Sequence, residues 1–277
     1  MTGAAIDSRQ YIVALELRST ADCPPDFELP PSLAAFETGL FLPRDDPDWL
    51  GRSAYPPRVL LLNGGALDIV AHPGAGEPAC RCALEQISAV ESGHMLLKGW
   101  LRFTGSGFDY TLRYNTRGFP SVFPFMQRFR GKWLHGAPCG TPAVDLGAGL
   151  DIKFANALAR ELDAGESILM QAFQAPRPGL AGDLLALTDR RLLWITDRER
   201  GFRSRYGSIA SYAPLEAVLS VETISRRGKP LLQVALNGGS AWQVPILPEF
   251  QRAAEGFAAA ASMMRTSRPY RCAAERT

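Results

Sequence analysis

The sequence lacks the segments by which membrane and secreted proteins are recognised. No apolar run in its 277 residues approaches the roughly 18 residues that a membrane-spanning helix needs. The N-terminal stretch MTGAAIDSRQ carries no charged segment followed by an apolar one, so we expect no secretory signal peptide. We therefore expect a folded protein of the cytoplasm, where it could also lie against the membrane surface.

The sequence also lacks the signatures of common catalytic sites. It contains no GxSxG nucleophile motif, no HExxH zinc motif, no phosphate-binding loop and no GxGxxG motif. Its three histidines, His72, His94 and His135, give poor support for a catalytic triad. These absences favour a protein that is not an enzyme and needs no cofactor.

Metal-binding patterns are missing as well. The five cysteines are odd in number and contain no CxxC pair, which favours free thiols over disulfides or a zinc site. Cys80 and Cys82 would point to the same side of a strand, but two thiols alone do not define a metal site. The stretch DDPDWLG, with Asp45, Asp46 and Asp48, lacks the ligand spacing of a calcium loop. We expect no bound metal.

The composition is that of an ordinary globular protein. Hydrophobic residues make up 46% of the chain and charged residues 21%, far from the composition of disordered proteins. The net charge of +2 divides into −2 for residues 1–150 and +4 for residues 151–277. Neither half is basic enough to indicate a nucleic-acid partner by charge alone.

A hairpin is the clearest structural signal. Two short apolar runs, at 184–187 and 192–195, enclose the polar residues Thr188, Asp189, Arg190 and Arg191. Because Asp tolerates turn geometry and hydrogen-bonds its own backbone, this pattern predicts two antiparallel strands with both arginines at the tip.

Further strands and a helix surround this hairpin. Apolar runs and alternation predict strands at 166–173, 204–212, 215–225, 230–236 and 240–246. From Pro248 the period changes to three and four, which predicts an amphipathic helix with an apolar face. That face comprises Phe250, Ala253, Ala254, Phe257, Ala258 and Ala261. The second half is thus mainly β with α: about seven antiparallel strands, forming a barrel or bent sheet, closed by one helix.

This order resembles the pleckstrin-homology (PH) superfold in its bacterial PH-like or GRAM-like form. The stretch GDLLALTDRRLLWITD at 182–197 is similar to the glycine, strand, Thr-Asp-x-Arg turn and strand of those domains. The stretch LEAVLSVE from Leu215 and the helix from Pro248 also match. The resemblance covers roughly residues 166–265 and implies a binding module.

The first half repeats the pattern. Five residues from Leu84 to Glu91 match five from Leu215 to Glu222, all at one constant offset along the chain. Such long-period self-similarity indicates duplicated domains rather than a solenoid, although the short match could also arise in two unrelated strands. We predict a PH-like domain at 1–135, with a proline-rich insertion at about 18–57, and a second at 151–268. A linker at 136–150 would join them, and 269–277 would form a tail.

The arginines of the second half are the candidate ligand-binding residues. They comprise Arg190, Arg191, Arg198, Arg200, Arg203 and Arg205. Arginine forks suit phosphate and carboxylate groups, although interleaved acidic residues would partly neutralise their field and solvated turns explain the same pattern. The leading hypothesis is a non-enzymatic binding or scaffolding module with a protein or peptide partner. The alternative is a peripheral membrane protein that binds anionic lipid head groups through residues 198–205.

Overall fold

The chain is mainly β-structure with α-helices, as the sequence predicts. The computed structural model describes residues 11–27, 29–44, 55–75, 79–134, 149–178, 180–199, 202–203 and 207–267; for 198–199, 202–203 and 265–267 it describes the backbone alone. The described residues divide into two compact units. Unit 1 comprises the described residues within Met1–Ile87, His94–Arg102 and Tyr110–His135. Unit 2 comprises the described residues within Ser88–Gly93, Phe103–Asp109 and Gly136–Thr277.

Unit 1 contains an antiparallel five-stranded sheet. Its strands follow one another in chain order, each paired with the next. They are β1 (Leu15–Leu17), β2 (Thr38–Leu42), β3 (Arg58–Asn63), β4 (Ala66–Ala71) and β5 (Cys80–Ala83). Every residue of β2 and β4 is buried, so the sheet is covered on both faces.

The first half continues with three longer strands and a helix. They are β6 (Ile87–Met95), β7 (Lys98–Gly105), β8 (Phe108–Asn115) and α1 (Phe119–Trp133). Helix α1 buries Val122, Phe125, Met126, Phe129 and Trp133, which recur at three- and four-residue spacing along one stripe. The indole of Trp133 donates a hydrogen bond to the Ile87 carbonyl at 3.0 Å, which ties the end of α1 to the start of β6.

The second half has four strands, then three strands, then a helix. Helix α2 (Ile152–Glu161) precedes four antiparallel strands, which lie side by side in the order β14-β11-β10-β9. Three further strands follow along the chain and lie in the order β15-β16-β17. The strands are β9 (Ile168–Gln174), β10 (Asp183–Thr188), β11 (Arg191–Thr196), β14 (Gly207–Pro214), β15 (Val218–Arg226), β16 (Lys229–Leu236) and β17 (Ala241–Pro245). Two-residue strands β12 (Arg198–Glu199) and β13 (Phe202–Arg203) form a small ribbon, and α3 (Gln251–Ser267) ends the described chain.

The predicted strands of the second half are confirmed, with boundaries shifted by a few residues. The hairpin pairs Leu187 with Leu192, and Leu232, Val234 and Leu236 are buried as their alternation predicts. The predicted face of α3 is partly wrong, because Ala253 is exposed while Ala254 and Ala261 are buried. None of the described sheets closes on itself, so the barrel alternative gives way to open sheets.

The proline-rich segment of the first half is not a simple insertion. Strand β2 lies inside the range predicted as an insertion and pairs with β1 on one side and β3 on the other. Its sequence, TGLFL, is apolar enough to form a buried strand, but the surrounding prolines hide this pattern. The predicted domain boundaries themselves stay predictions. Most of β6, from Ser88 to Gly93, and shorter parts of β7 and β8 belong to unit 2.

The two halves place matching elements at the same offset as the sequence repeat. Strands β6 and β15 are both nine residues long, and β7 and β16 are both eight residues long. The start of β15 is displaced from that of β6 by the same interval that separates Leu215 from Leu84, and the same holds for β16 and β7. A 3-10 turn precedes β6 and another precedes β15.

The turns of these two hairpins also correspond. Leu96 (φ 51°) and Arg227 (φ 53°) are the positive-φ non-glycine residues of the described chain. Each is the first residue after the nine-residue strand of its own half, so the two occupy equivalent positions of the repeat. The second turn residue differs, because Gly228 has a φ of 73° whereas Leu97 does not adopt a positive φ, so the two hairpins share their length and the conformation of the first turn residue only.

Two glycines of unit 1 differ in the space available for an added side chain, which allows the packing around them to be tested. A Cβ atom at Gly99 would lie 2.3–2.8 Å from carbon atoms of the buried Tyr114 ring, whereas a Cβ at Gly131 would meet nothing within 4 Å. We expect Gly99→Ala to destabilise the protein by about 1–3 kcal/mol through overpacking. Gly131→Ala, inside α1, should instead stabilise it by about 0.5–1 kcal/mol, since alanine favours the helix. Denaturant unfolding measures both, and similar effects from the two substitutions would contradict the packing at Gly99.

Candidate binding site

The predicted arginine loop lies largely outside what the structure describes. The backbones of Arg198 and Arg203 face each other across the β12–β13 ribbon. Arg200 and Arg205 fall outside the described residues. The hypothesis that residues 198–205 bind anionic lipid therefore stays a prediction.

Arg191 lies inside the fold rather than at an exposed tip. Its side chain has no solvent-exposed surface, and its guanidinium carbon lies 5.1 Å from the centre of the Tyr212 ring. As the first residue of β11, it pairs with Pro214 of β14 and projects into the core. The tip consists of Asp189 and Arg190, and Arg190 is only partly exposed. A soluble ligand cannot reach the Arg191 guanidinium in this arrangement.

A network of acidic groups surrounds the Arg191 guanidinium. Nε donates to Glu166 Oε1 at 2.8 Å, and Nη2 donates to Glu166 Oε2 at 2.5 Å and to the Glu161 carbonyl at 2.6 Å. Asp163 Oδ2 lies 3.5 Å from Nη2. The Tyr212 hydroxyl donates to the Glu161 carboxylate at 2.5 Å. This two-point contact with Glu166 is the strong geometry for an arginine–carboxylate pair.

Glu166 stays ionised in this setting. Burial alone would raise the pKa of its carboxyl group, but the positive charge of Arg191 and several hydrogen bonds outweigh burial. The donors are the Arg191 guanidinium, the Asp163 amide and the Thr188 hydroxyl, and together they hold the pKa below its ordinary value of 4.5. The pair therefore remains charged at neutral pH and joins the start of β9 to the hairpin.

Thr188 completes the tie between the hairpin and the loop before β9. Its hydroxyl donates to Glu166 at 2.7 Å and accepts from the Arg191 amide at 2.9 Å. Asp189 accepts a hydrogen bond from the Ser167 amide at 3.1 Å. The Thr-Asp-Arg-Arg turn thus has a structural role, because its residues bind the segment that precedes β9. Sequence reasoning missed the role of Glu166, because nothing in a single sequence links two side chains so far apart along the chain.

The cysteines and histidines that the structure describes lie in surroundings typical of structural rather than catalytic or metal-binding residues. Burial raises the pKa of the Cys23 and Cys82 thiols to about 11, so both are protonated and weakly nucleophilic at neutral pH. His72 lies 3.3 Å from Asp26, and the His94 ring contacts Phe119. Asp45, Asp46, Asp48, His135, Cys139 and Cys272 lie outside the described residues. Within the described ranges, no three His, Cys, Asp or Glu side chains are grouped as metal ligands would be.

Among the side chains that the structure describes in unit 2, three exposed cations lie together at the β15–β16 hairpin. Arg226, Arg227 and Lys229 are all exposed and, with Leu231, line an open cleft of about 320 Å³. The turn is fixed by the positive φ of Arg227 and Gly228. Arg226 also donates to Gln243 of β17 at 3.1 Å. The surface of the cleft is mostly apolar, so the long side chains contribute mainly their aliphatic parts to its walls, while the residues themselves remain exposed to solvent.

Strand β15 leads directly into this basic hairpin. It forms one border of the β15-β16-β17 order, so its outer backbone groups face away from β16. At nine residues it is the longest edge strand among the described elements, and it contains no proline. Leu219, Glu222, Thr223 and Ser225 are exposed along it. Helix α3 packs against β15, and the pairing of β15 with β16 shifts register between Val218 and Ser220, so the strand offers a proline-free edge for pairing only where α3 leaves it exposed.

Comparisons with known proteins identify no relative. No family model matches the chain, and no curated protein matches its sequence. Among the described residues, no helix is both long enough and apolar enough to span a membrane.

The buried ion pair predicts a large loss of stability when one partner is removed. Arg191→Met should destabilise the protein by about 3–5 kcal/mol, because Glu166 would stay buried without its counter-charge. Arg177→Gln, which breaks the exposed Arg177–Glu249 pair, should cost about 0–1 kcal/mol. Denaturant unfolding at neutral pH measures the difference. A loss for Arg191→Met no larger than that for Arg177→Gln would show that the pair does not hold the fold.

The same pair predicts how stability varies with acid. Since the folded-state pKa of Glu166 lies below its ordinary value of 4.5, its contribution is complete above that pH and is lost as the pH falls through the folded-state pKa. Glu166→Gln should lower stability at neutral pH and flatten this acid dependence. Unfolding curves from neutral pH down to about pH 3 test the expectation. Parallel pH profiles for the two proteins would contradict it.

Proposed function

We propose that this chain is a non-enzymatic binding or scaffolding protein of two tandem PH-like domains. We further propose that the outer edge of β15, with its basic hairpin, receives an extended acidic segment of a protein partner. The observation that carries the proposal is the nine-residue edge strand that ends in three exposed cations.

The order of elements supports the PH-like part of this proposal. In the second half, four antiparallel strands, three further strands and a terminal helix follow one another. In the first half, β2 to β5 precede β6 to β8 and α1 in the same order. The resemblance of the Thr-Asp-Arg-Arg hairpin to bacterial PH-like domains agrees with this succession. Strand β1 would then be an addition to the first copy.

Edge pairing supplies the binding mode. An extended peptide that aligns with β15 would form main-chain hydrogen bonds with its outer groups, and those bonds provide affinity without demanding one sequence. Leu219, half exposed at 51%, offers an apolar contact along the way. The strand remains paired with β16 on its inner side, so binding requires no rearrangement of the sheet.

Charge selects which peptide fits. Arg226, Arg227 and Lys229 lie at one end of β15, whereas Glu222 is the acidic residue of the strand. A partner with carboxylates at the end that meets the hairpin would place them beside three cations. Its association should weaken with salt, since exposed charges are screened. Three cations form too small a field for a nucleic-acid backbone, so a protein segment is the better match.

The non-enzymatic part of the proposal agrees with how the buried polar groups are used. Glu166 and Arg191 neutralise each other, and Glu161 binds Tyr212. The Cys23 and Cys82 thiols are protonated at neutral pH. A hydrolytic or transfer activity that one point substitution abolishes would contradict this part of the proposal.

Selection from an unbiased displayed-peptide library tests the binding site. We expect enrichment of extended, acidic peptides, whose affinity falls about tenfold when Arg226, Arg227 and Lys229 are changed together to Gln, because exposed ion pairs contribute about 0.2–1 kcal/mol each. The matched control changes the exposed Arg18, Arg44 and Arg252 to Gln, which removes the same charge elsewhere.

Hydrogen exchange of the bound protein locates the peptide. Amides of Val218–Arg226 should gain protection when a selected peptide binds, and those of β17 should not. Failure to enrich any peptide, protection at another strand, or equal effects of the hairpin and control variants would each overturn the proposed site.

A further inference from the structure

The β6–β7 hairpin of unit 1 presents two bulky apolar residues at its tip. Leu96 is 73% exposed and Leu97 is 59% exposed, and they form the two-residue turn between Met95 and Lys98. Hairpin turns of this length favour Asn, Asp and Gly, because these residues adopt the backbone angles that the turn requires. Two leucines are therefore an unfavourable choice for the turn itself.

The tip is held rigidly despite this choice. Leu96 adopts the left-handed conformation at φ 51°, which a bulky side chain rarely does. Thr116 fixes it from the end of β8, because its hydroxyl donates to the Leu96 carbonyl at 2.5 Å and its amide donates to the Leu97 carbonyl at 3.1 Å. Both leucine side chains consequently remain displayed to solvent. Strain held in place by neighbouring groups is a reason to look for a function.

Cations border the exposed leucines. Lys98 follows Leu97 directly, and Arg117 follows the Thr116 anchor; both are exposed. The segments SGHMLLK at 92–98 and NTRG at 115–118 contain no acidic residue. The equivalent tip in the second half carries Arg227 and Gly228, so a two-residue turn that begins with a positive φ does not require apolar residues.

We infer that the Leu96–Leu97 tip inserts into the interfacial region of an anionic lipid bilayer, with Lys98 and Arg117 against the head groups. Two leucines on a hairpin turn are far too few for a stable protein interface, which buries about 800 Å² on each partner. A bilayer requires no shape complementarity, so a small apolar hairpin tip can insert into it while the neighbouring cations contact the anionic head groups. This inference does not depend on the peptide site of unit 2.

Vesicle co-sedimentation with the full chain tests the inference. The probes are vesicles of phosphatidylcholine alone and vesicles that also contain phosphatidylserine. We expect binding to the anionic vesicles to fall about a hundredfold in the double variant Leu96→Asn, Leu97→Gly. This variant installs a favourable turn, so it should fold at least as well as the native chain. Lys98→Gln and Arg117→Gln should each weaken binding about fivefold.

A matched control removes exposed apolar side chains elsewhere. Ile152 and Met263, 77% and 68% exposed, become Gln together, and anionic binding should stay unchanged. Insertion is read out directly with Leu97→Trp and vesicles of brominated acyl chains, which should quench the added fluorescence. A second comparison changes Arg198, Arg200, Arg203 and Arg205 to Gln, which separates the tip from that loop.

Four results would overturn the inference. They are no binding of the native chain to either vesicle, equal binding by the Asn-Gly variant, loss of binding in the Ile152 and Met263 control, and binding that the four-arginine variant alone abolishes. Light scattering after size-exclusion chromatography tests whether the tip binds a second copy of the chain instead of a bilayer. If the native chain dimerises and the Asn-Gly variant is monomeric, the tip docks on a second copy instead of a bilayer.

Discussion

The buried contact between Arg191 and Glu166 is the constraint on which the second unit depends. It joins the loop before β9 to the first residue of β11, and Asp163, Glu161 and Tyr212 extend it toward α2 and β14. A buried arginine is costly unless carboxylates compensate it, so these groups must be placed together when the fold forms. The hairpin, its neighbouring strands and α2 are consequently set in one arrangement, from which β15 and its basic turn follow.

Corresponding two-residue turns carry two kinds of surface chemistry in this chain. Leu96 and Arg227 have nearly the same φ and begin corresponding turns of the two halves. One turn displays leucines beside cations, whereas the other displays cations beside a strand at the border of its sheet. Because loop tips bear little of the packing, their side chains can change without loss of the fold.

Much of the fold could be predicted from local pattern. Alternation located Leu232, Val234 and Leu236, and a change of period located α3. Strand β2 was missed because prolines on both sides made its five apolar residues resemble part of a loop. Ala253 was assigned to the wrong face, since alanine is compatible with either side of a helix. These errors fall where composition and periodicity carry little information.

The sequence by itself determined the secondary structure of the second half, the hairpin at 184–195 and the spacing that relates the two halves, because these depend on neighbouring residues and on the alternation of apolar side chains. Only the tertiary structure decided which arginines are accessible. Arg191 is enclosed and Arg226 and Arg227 are exposed, although each belongs to an Arg-Arg pair near the turn of a hairpin. The reason is physical, because a charged side chain is buried only where oppositely charged partners compensate it, here Glu166 and Asp163. These partners lie far from Arg191 along the chain, so the local sequence pattern does not reveal them.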